Sequence, residues 1–148
     1  MALIYSPKVG EILECNFGDF LKPPPEPIYN GLIPPEIRKR RMVAVVNGKL
    51  PNGCCLVVPI SSSHNPVAVE RGFHIYLGSE IFSETKFHID DRDRWALCEC
   101  ITHVSKKRLF RMFNNGIQIT KILSSNKVSE IQKSIIRTSN AQSLLRIP

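Results

Sequence analysis

Two short apolar runs joined by a turn constrain the fold of this chain most strongly. The run at 41–47 is rich in β-branched residues and follows directly on the cationic stretch 38–41. The run at 54–61 ends at Ser61, and the segment 47–53 between the two runs is rich in turn formers. We therefore predict two neighbouring strands that bring arginines and hydroxyls to one edge of a sheet. Because guanidinium groups on a rigid element suit phosphate recognition, this edge is a candidate site for an anionic, phosphate-bearing substrate.

Three further segments predict strands. Residues 9–17 are close to alternation of polar and apolar side chains, and 73–77 form a short apolar run between two glycines. A third apolar run, 95–101, follows a charged turn that begins with Asp90 and Asp91. These paired aspartates would suit a cation, but a solvated turn with local ion pairs is the favoured interpretation.

A single helix is predicted near the end of the chain. Val128, Ile131 and Ile135 fall at helical spacing, which predicts an amphipathic helix at about 126–139 that packs on the strands. Five or six short strands with one late helix are typical of a small, mostly antiparallel β-barrel. A length of 148 residues suits one domain with its own core better than two. We therefore predict one mainly β domain over 1–148 with a C-terminal α-helix.

The connection 18–37 between the first two predicted strands is long and rich in proline. It holds six of the 11 prolines of the chain: Pro23, Pro24, Pro25, Pro27, Pro34 and Pro35. A connection of this length and composition is not a tight hairpin. Two interpretations stay open, a stiff arm that flanks a groove and a polyproline ligand for another protein.

The charge of the chain favours an anionic partner. It carries 20 lysines and arginines against 13 aspartates and glutamates, a formal net charge of +7. Such an excess favours a polyanion, either nucleic acid or an acidic protein. The cations cluster at 38–41 and again at Lys106, Lys107, Arg108 and Arg111, which favours a defined binding surface over a merely basic one.

The cysteines and the apolar segments bear on location and metal binding. No apolar run reaches the roughly 18 residues that span a bilayer, and residues 1–7 do not resemble a signal peptide. Five cysteines without export features favour reduced thiols in the cytoplasm. Cys98 and Cys100 would share one face of a strand with His103 nearby, but no second ligand pair stands at zinc-like spacing. We therefore expect no metal and no other cofactor.

Common motifs of phosphate chemistry are missing from the sequence. It has no glycine-rich phosphate loop, no nucleophile elbow, no dinucleotide-binding fingerprint and no internal repeat. Kinase, nucleotide-binding and classical hydrolase hypotheses therefore lack support.

Four local motifs, in this order along the chain, resemble the MazF/PemK family of toxins from type II toxin-antitoxin systems. Val-Gly-Glu-Ile at 9–12 resembles the family's opening Gly-Asp-Ile/Val strand. Arg-Met-Val-Ala-Val-Val at 41–46 resembles its Arg-Pro-Val-Val-Val-Ile strand, and Val-Pro-Ile-Ser at 58–61 resembles its Val-Pro-Ile-Thr strand end. Glu-Cys-Ile-Thr-His-Val-Ser-Lys-Lys-Arg-Leu at 99–109 is similar to its Glu/Asp-Gln-Ile-Arg-Thr-Ile-Asp-Lys-x-Arg-Leu segment. The resemblance spans about 8–139, and the long proline-rich insertion resembles the YifN-like branch.

The resemblance implies a fold, an activity and partners. The fold is a small SH3-like antiparallel β-barrel of the MazF/CcdB type, assembled as a homodimer. The activity is metal-independent, sequence-specific cleavage of single-stranded RNA, which leaves a 2′,3′-cyclic phosphate and a 5′-hydroxyl. A cognate antitoxin protein would neutralise the enzyme.

Cleavage through a cyclic phosphate needs a base, a stabiliser of charge on phosphorus and a proton donor. Arg41 is the candidate stabiliser, because its planar fork holds two phosphoryl oxygens and stays protonated. Ser61 stands where the family has threonine and would donate its hydroxyl to a phosphate oxygen. Glu99 matches the acidic residue that some members use as general base, and burial between two cysteines would raise its pKa. Each has an alternative role: a solvated strand end, a turn former and a half-exposed partner of Lys or Arg.

The proton donor is the main departure from the family pattern. Some members carry an arginine two positions before the acidic residue, where this chain has Leu97. His103, His64 or Arg41 would then have to donate the proton, and histidine is the better suited by its ordinary pKa. Arg40 replaces Arg41 as the candidate if the strand register is shifted by one residue, since such a shift exchanges the two faces.

The RNA would follow a basic groove. The cations expected to neutralise its phosphates are Lys39, Arg40, Lys106, Lys107 and Arg108, which we call the basic group. Phe17, Phe20, Tyr29 or Trp95 would stack on splayed bases, although Phe17 and Trp95 are better interpreted as core residues.

Two hypotheses from other classes remain open. Gyrase-poisoning toxins of the CcdB type share the barrel and act on a protein target. Leu97, and Met42 where the family usually has proline, would suit such a catalytically silent member. The other hypothesis is an interaction module whose proline-rich arm binds a partner.

Overall fold

The computed structural model describes residues 3–24, 26, 29–85 and 92–146. Within these residues the chain forms ten strands and two α-helices, separated by turns and short 3₁₀ segments. In chain order they are β1 (Glu11–Asn16), β2 (Arg40–Asn47), β3 (Cys54–Ser61), α1 (Pro66–Glu70), β4 (His74–Gly78), β5 (Arg94–Leu97), β6 (Thr102–Ser105), β7 (Leu109–Phe110), β8 (Met112–Asn114), β9 (Ile117–Ile119), β10 (Lys121–Ile122) and α2 (Ser125–Thr138).

Eight of these strands form one antiparallel sheet. Its order is β10-β1-β2-β3-β5-β4, with β6 also paired to β3 and β7 also paired to β1. The strands β8 and β9 form a separate hairpin. A mainly antiparallel β fold with a C-terminal helix was predicted, and this part of the prediction is confirmed. Closure of the sheet into an SH3-like barrel stays a prediction.

The central strand β2 is buried on both faces, which explains its nearly continuous apolar sequence. Met42 and Ala44 pack into a cluster that also contains Ile131 of α2, and we call it the helix-side cluster. Val43 and Val45 point the other way, into a second cluster with residues of β1 and β6, which we call the groove-side cluster. The strand therefore separates two apolar cores, and the face on which each β2 side chain lies decides its surroundings.

The helix α2 spans Ser125–Thr138, against the predicted 126–139. Ser124 caps it, because its side chain accepts a hydrogen bond from the backbone N–H of Lys127. Ile131 is buried, and Val128 and Ile135 pack against the helix-side cluster. The apolar spacing that predicted the helix therefore corresponds to its packed face.

The predicted strand 95–101 is broken in the structure. The strand β5 ends at Leu97, a 3₁₀ turn occupies Cys98–Cys100, and β6 begins at Thr102. The expectation that Cys98 and Cys100 share one face of a strand is therefore wrong. A backbone hydrogen bond stabilises the turn against the start of β4: the N–H of Cys98 donates to the carbonyl of Phe73 at 3.0 Å.

The described part of the proline-rich connection 18–37 contains no strand or α-helix. Its two ends are held together by backbone hydrogen bonds, from Phe17 N–H to the Lys39 carbonyl at 3.0 Å and from Lys39 N–H to the Gly18 carbonyl at 2.5 Å. Pro25 and Pro27, like the predicted cation candidates Asp90 and Asp91, lie outside the described residues. Among the helices that the structure describes, none has both the length and the apolar character to cross a membrane.

Candidate active site

The register of β2 and β3 brings Arg41 and Ser61 to the same end of the sheet. Val43 pairs with Pro59, the last pair at this end, and Ala44 pairs with Val58; a continuation of this register by two residues would set Arg41 opposite Ser61. Residues that lie opposite one another in an antiparallel pair point to the same face. The irregularity in this pair lies between Val45 and Asn47, toward the other end of the strand, and does not disturb the relationship.

Arg41 is half-buried and has part of its guanidinium available. Its Nε donates to the backbone carbonyl of Arg38 at 2.8 Å, and this is the one hydrogen bond that its side chain makes to a described residue. Burial raises the pKa of the Cys100 thiol to about 11, and the nearby charge of Arg41 acts in the opposite direction. The charge of Arg41 therefore acts on the Cys98–Cys100 turn, and its terminal N–H groups make no hydrogen bond to a residue that the structure describes.

Ser61 is the last residue of β3. Its Oγ accepts a hydrogen bond from the backbone N–H of Ser63 at 3.1 Å, which orients the hydroxyl oxygen. A hydroxyl that accepts one bond still carries its own proton for donation. Ser61 also pairs with Trp95 of β5, so its position is set by strands on both sides.

Glu99 lies at the surface and not in the core. Its side chain is 38% exposed, because the 3₁₀ turn directs it outward while Cys98 is fully buried. The expected burial between the two cysteines is therefore not found. The alternative of a half-exposed side chain agrees with the structure, although its partner is a histidine and not Lys or Arg. Its Oε1 lies 2.6 Å from Nε2 of His74. His74 was not among the predicted site residues; its one signal in the sequence is a histidine inside an otherwise apolar strand.

A groove of about 490 Å³ runs beside the Cys98–Cys100 turn. Leu32, Pro35 and Ile37 of the proline-rich connection line it. Glu99, His103 and Arg108 line it as well. The structure therefore brings Glu99, His103 and Arg108 into the groove, whereas Arg41 and Ser61 are not among its lining residues. Arg41 approaches it through Cys100, which does line it.

The two candidate histidines lie in different places. His103 is exposed on β6, with Nε2 2.9 Å from Nδ2 of Asn52. His64 is exposed and stacks on Trp95, with ring centroids 4.7 Å apart and planes inclined by 9°. Trp95 itself is buried, as is Phe17, and the interpretation of both as core residues agrees with their burial.

The basic group is divided between the two faces of the sheet. Arg40 lies on the face opposite to Arg41, where its Nε is 2.9 Å from Oε1 of the buried Glu14 and its guanidinium covers the ring of Phe110. Arg108 lines the groove and donates from Nη1 to the Asn16 carbonyl at 2.9 Å.

The three lysines of the basic group belong to two segments of the chain. Lys106 and Lys107 form a 3₁₀ turn with Arg108. Lys39 is exposed, with a positive φ of 69°, and its backbone pairs with Phe17 and Gly18 at the base of the proline-rich connection. Arg40 is therefore engaged in an ion pair, while Arg108 lines the groove.

Cys98, Cys100 and His103, the residues considered for a metal site, lie in different environments. Cys98 is fully buried, whereas Cys100 and His103 lie toward the groove. Across residues 3–24, 26, 29–85 and 92–146, no group of three or more His, Cys, Asp or Glu side chains is arranged to hold a metal ion.

Two bacterial proteins are similar to this chain over nearly its whole length. An uncharacterized protein of Haemophilus influenzae is 44% identical over 141 residues, which cover 95% of each chain. The Escherichia coli K12 protein YifN is 38% identical over 149 residues, which cover 98% of this chain and 99% of YifN. These relatives agree with the resemblance to a YifN-like branch.

Solved structures with low sequence identity share the fold. MazF of Deinococcus radiodurans superposes with a TM-score of 0.58 at 13% identity, covering 92% of this chain and 98% of MazF. An endoribonuclease from a mycobacterial species gives 0.55 at 9% identity, covering 92% and 93%. A mycobacterial endoribonuclease in complex with its cognate antitoxin gives 0.53 at 11% identity, covering 96% and 99%.

The family model of the PemK-like, MazF-like toxins matches residues 8–138, nearly the span that the four motifs predicted. The order of strands, the late helix and the matched length agree with one another. This chain therefore belongs to the family of PemK-like, MazF-like toxins of type II toxin-antitoxin systems.

Proposed function

We propose that this protein is a metal-independent endoribonuclease that cleaves single-stranded RNA at defined sequences. Its family membership supports the proposal, as does the shared fold with structures described as endoribonucleases. One observation carries it: the β2–β3 register that leads Arg41 and Ser61 to the same end and the same face of the sheet. A cation with free terminal N–H groups beside a hydroxyl donor suits an RNA phosphodiester.

The proposed reaction begins with attack by the 2′-hydroxyl on the adjacent phosphorus. Glu99 takes the proton of the hydroxyl as general base while the bond from O2′ to phosphorus forms. Arg41 and Ser61 stabilise the negative charge that accumulates on the phosphoryl oxygens. The bond from phosphorus to O5′ then breaks, which leaves a 2′,3′-cyclic phosphate and a 5′-hydroxyl.

His103 is the proposed donor of the proton to the leaving O5′. Leu97 is an aliphatic residue of β5 and has no proton to donate. His103 lines the same groove as Glu99, whereas His64 stacks on Trp95. A carboxylate and an imidazole that line one groove suit a base and an acid that act on opposite sides of the phosphorus.

The RNA and the antitoxin are the proposed partners. Lys39, Lys106, Lys107 and Arg108 would contact phosphates along the groove, while Arg40 is held on the other face by Glu14. A solved structure with this fold is described as an endoribonuclease in complex with its cognate antitoxin, which supports an antitoxin partner here. We also propose that the protein is a homodimeric SH3-like barrel of the cytoplasm, as the family resemblance implies.

The test is cleavage of a defined single-stranded RNA by the pure protein in EDTA. Wild type should cut at discrete positions, and chemical analysis of the ends should find cyclic phosphate and 5′-hydroxyl. Arg41→Ala should lower the rate by about 100-fold or more, as removal of a donor to a developing oxyanion does. Arg41→Lys should restore little, because lysine lacks the planar fork. Lys133→Ala, which removes an exposed cation of α2, is the matched control.

A non-catalytic toxin that acts on a protein such as gyrase is the second candidate. The aliphatic Leu97 at the position of the family's arginine favours it. Expression of Arg41→Ala in cells separates the two. Growth arrest that persists in this variant, together with no cut RNA for wild type, would favour the protein target and would refute the ribonuclease.

A further inference from the structure

We propose that His74 is a positioning residue that holds Glu99 in the orientation required of the general base. This role rests on the proposed ribonuclease function. His74 was not among the candidate residues, and it neither lines the groove nor belongs to the motifs that identify the family. What assigns it a role is its contact with the carboxylate of Glu99, a residue of the Cys98–Cys100 turn that lines the groove.

The backbone around His74 is fixed by neighbours on both sides. His74 is the first residue of β4 and lies opposite Leu97 of β5. The carbonyl of Phe73 accepts a hydrogen bond from the N–H of Cys98, and the carbonyl of Gly72 accepts one from the buried hydroxyl of Ser134 on α2. The ring is 7% exposed, so the imidazole is a rigid group inside the protein.

The hydrogen bond of this ring determines which nitrogen carries the proton. An ionised carboxylate only accepts hydrogen bonds, so Nε2, at 2.6 Å from Oε1 of Glu99, must be the donor. The other nitrogen, Nδ1, is buried and has no hydrogen-bond partner among the residues that the structure describes. If Nδ1 also carried a proton, the ring would be charged and Nδ1 would be a buried N–H donor without an acceptor. This costs more free energy than a buried lone pair without a donor. Donation to Glu99 therefore requires a proton on Nε2.

Such an imidazole leaves one carboxylate oxygen for chemistry. His74 engages Oε1, and the Cys100 thiol is also directed at Oε1, at the longer distance of 3.8 Å. Oε2 is left to accept the proton of the 2′-hydroxyl. An exposed glutamate on a turn has several rotamers, and a bond to a buried ring selects one of them before the RNA arrives. His74 thus acts through Glu99 and does not touch the reacting atoms.

The test compares two replacements of His74 in the full chain. In His74→Gln the side-chain amide N–H lies near the position of Nε2 and can donate to Glu99, whereas in His74→Asn the amide ends near Nδ1 and falls short. The asparagine variant should lower kcat by about 10- to 100-fold with little change in KM, as loss of positioning does. The glutamine variant should recover most of that loss. Tyr76→Phe, which removes a surface hydroxyl from the same strand, is the control.

A double-mutant cycle with Glu99→Gln separates positioning from a general loss of structure. In the Glu99→Gln background, His74→Asn should cause no further loss of rate, because the residue through which it acts is already disabled. An equal further loss in that background, or wild-type rates in His74→Asn alone, would overturn the role of His74. If wild type itself does not cut RNA, the proposed function fails first and this role fails with it.

A measurement on the unmodified ring covers the case in which His74 variants do not fold. Long-range ¹H–¹⁵N spectra of wild type distinguish the two neutral tautomers of a histidine. The Nε2–H tautomer is expected for His74, with a changed Nε2 shift in Glu99→Gln. The Nδ1–H tautomer, or a ring that does not respond to Glu99→Gln, would refute the proposed contact.

Discussion

Val43 of β2 lies directly opposite Pro59 of β3, and this pairing leads Arg41 and Ser61 to one face at the end of the sheet. On the same strand Arg41 lies opposite Cys15 of β1, whose side chain is fully buried in the groove-side cluster. The stem of Arg41 therefore rests against a packed core while its charged end reaches the surface. A guanidinium held in this way loses little conformational entropy when it binds a phosphate.

The hydroxyl of Ser61 should itself contribute to the rate of RNA cleavage. Ser61→Ala should lower the rate of RNA cleavage by about 10-fold or more, because it removes a donor to the phosphoryl oxygens. Ser61→Thr should retain most of the rate, since it keeps the hydroxyl and restricts its rotamer. Single-turnover cleavage rates measure both effects. Ser63→Ala is the control, because Ser63 bonds Ser61 through its backbone N–H; equal rates for Ser61→Ala and this control would exclude the proposed role.

RNA binding should depend on salt through the surface lysines. Replacing Lys106 and Lys107 together with alanine should weaken binding and reduce the slope of log K against log salt concentration by about 1.4, the value for two contacts to a single strand. Titrations at several salt concentrations measure the slope. They are made in the catalytically impaired Arg41→Ala background, so that the RNA is not cleaved during the measurement. Lys133→Ala, on the exposed face of α2, should leave the slope unchanged. An unchanged slope in the double variant would place the RNA elsewhere.

Gly48 should tolerate no side chain. A Cβ added there would lie 2.0 Å from the carbonyl oxygen of Pro7 and 2.8 Å from its Cγ. Because these are atoms of a backbone and a stiff ring, Gly48→Ala should reduce the free energy of unfolding by about 3 kcal/mol. Urea denaturation measures the loss. Gly116→Ala meets no atom within 4 Å but has a φ of +78°, so it should cost about 1 kcal/mol from backbone strain alone. A Gly48→Ala variant as stable as Gly116→Ala would contradict the contact.

Stability should fall at alkaline pH because of buried thiols. Burial raises the pKa of Cys98 to about 11, from 9.0 in an exposed thiol. Below pH 9 both folded and unfolded states keep the proton. Between pH 9 and 11 the unfolded state loses it first, so stability falls as pH rises. At pH 10 this thiol should remove about 1.4 kcal/mol, one pKa unit of free energy.

Cys98→Ala isolates this contribution. The difference in unfolding free energy between wild type and Cys98→Ala should shrink by that amount from pH 7 to pH 10, as urea melts at the two pH values would show. Val58→Ala removes apolar volume from the same helix-side cluster without a titrating group, so its effect should not vary with pH. If the effect of Cys98→Ala on the unfolding free energy were as independent of pH as that of Val58→Ala, the Cys98 thiol would have the same pKa in the folded and unfolded states.

The parts of the fold that the sequence predicted well are those in which local pattern and tertiary packing agree. The strands β2 and β3 were predicted within one residue because both are apolar on both faces and are bounded by turn formers. The helix α2 begins and ends only one residue earlier than predicted. The prediction was this accurate because the apolar residues that indicated the helix are those that pack on the core. The family was also accessible, since its motifs are contiguous stretches of residues.

The candidate site was predicted only in part. The segment 95–101 has an apolar character that suits a strand, but the structure bends it at Cys98, which enters the core, and turns Glu99 outward. The buried environment predicted for Glu99 is therefore wrong, whereas the half-exposed alternative agrees with the structure. The RNA-binding role of Arg40 stays a prediction, and the structure adds an ion pair with Glu14 that the sequence did not indicate.

The sequence by itself determined the strands β2 and β3, where the last helix lies and to which family the chain belongs, because periodicity, turn formers and motifs are properties of near neighbours in the chain. Tertiary structure alone decided which of two adjacent arginines lies on the face of Ser61 and which residue holds Glu99. His74 and Glu99 are 25 residues apart. Their contact arises from strand register and from the burial of Cys98, and a one-residue shift in either would direct the same side chains to other faces.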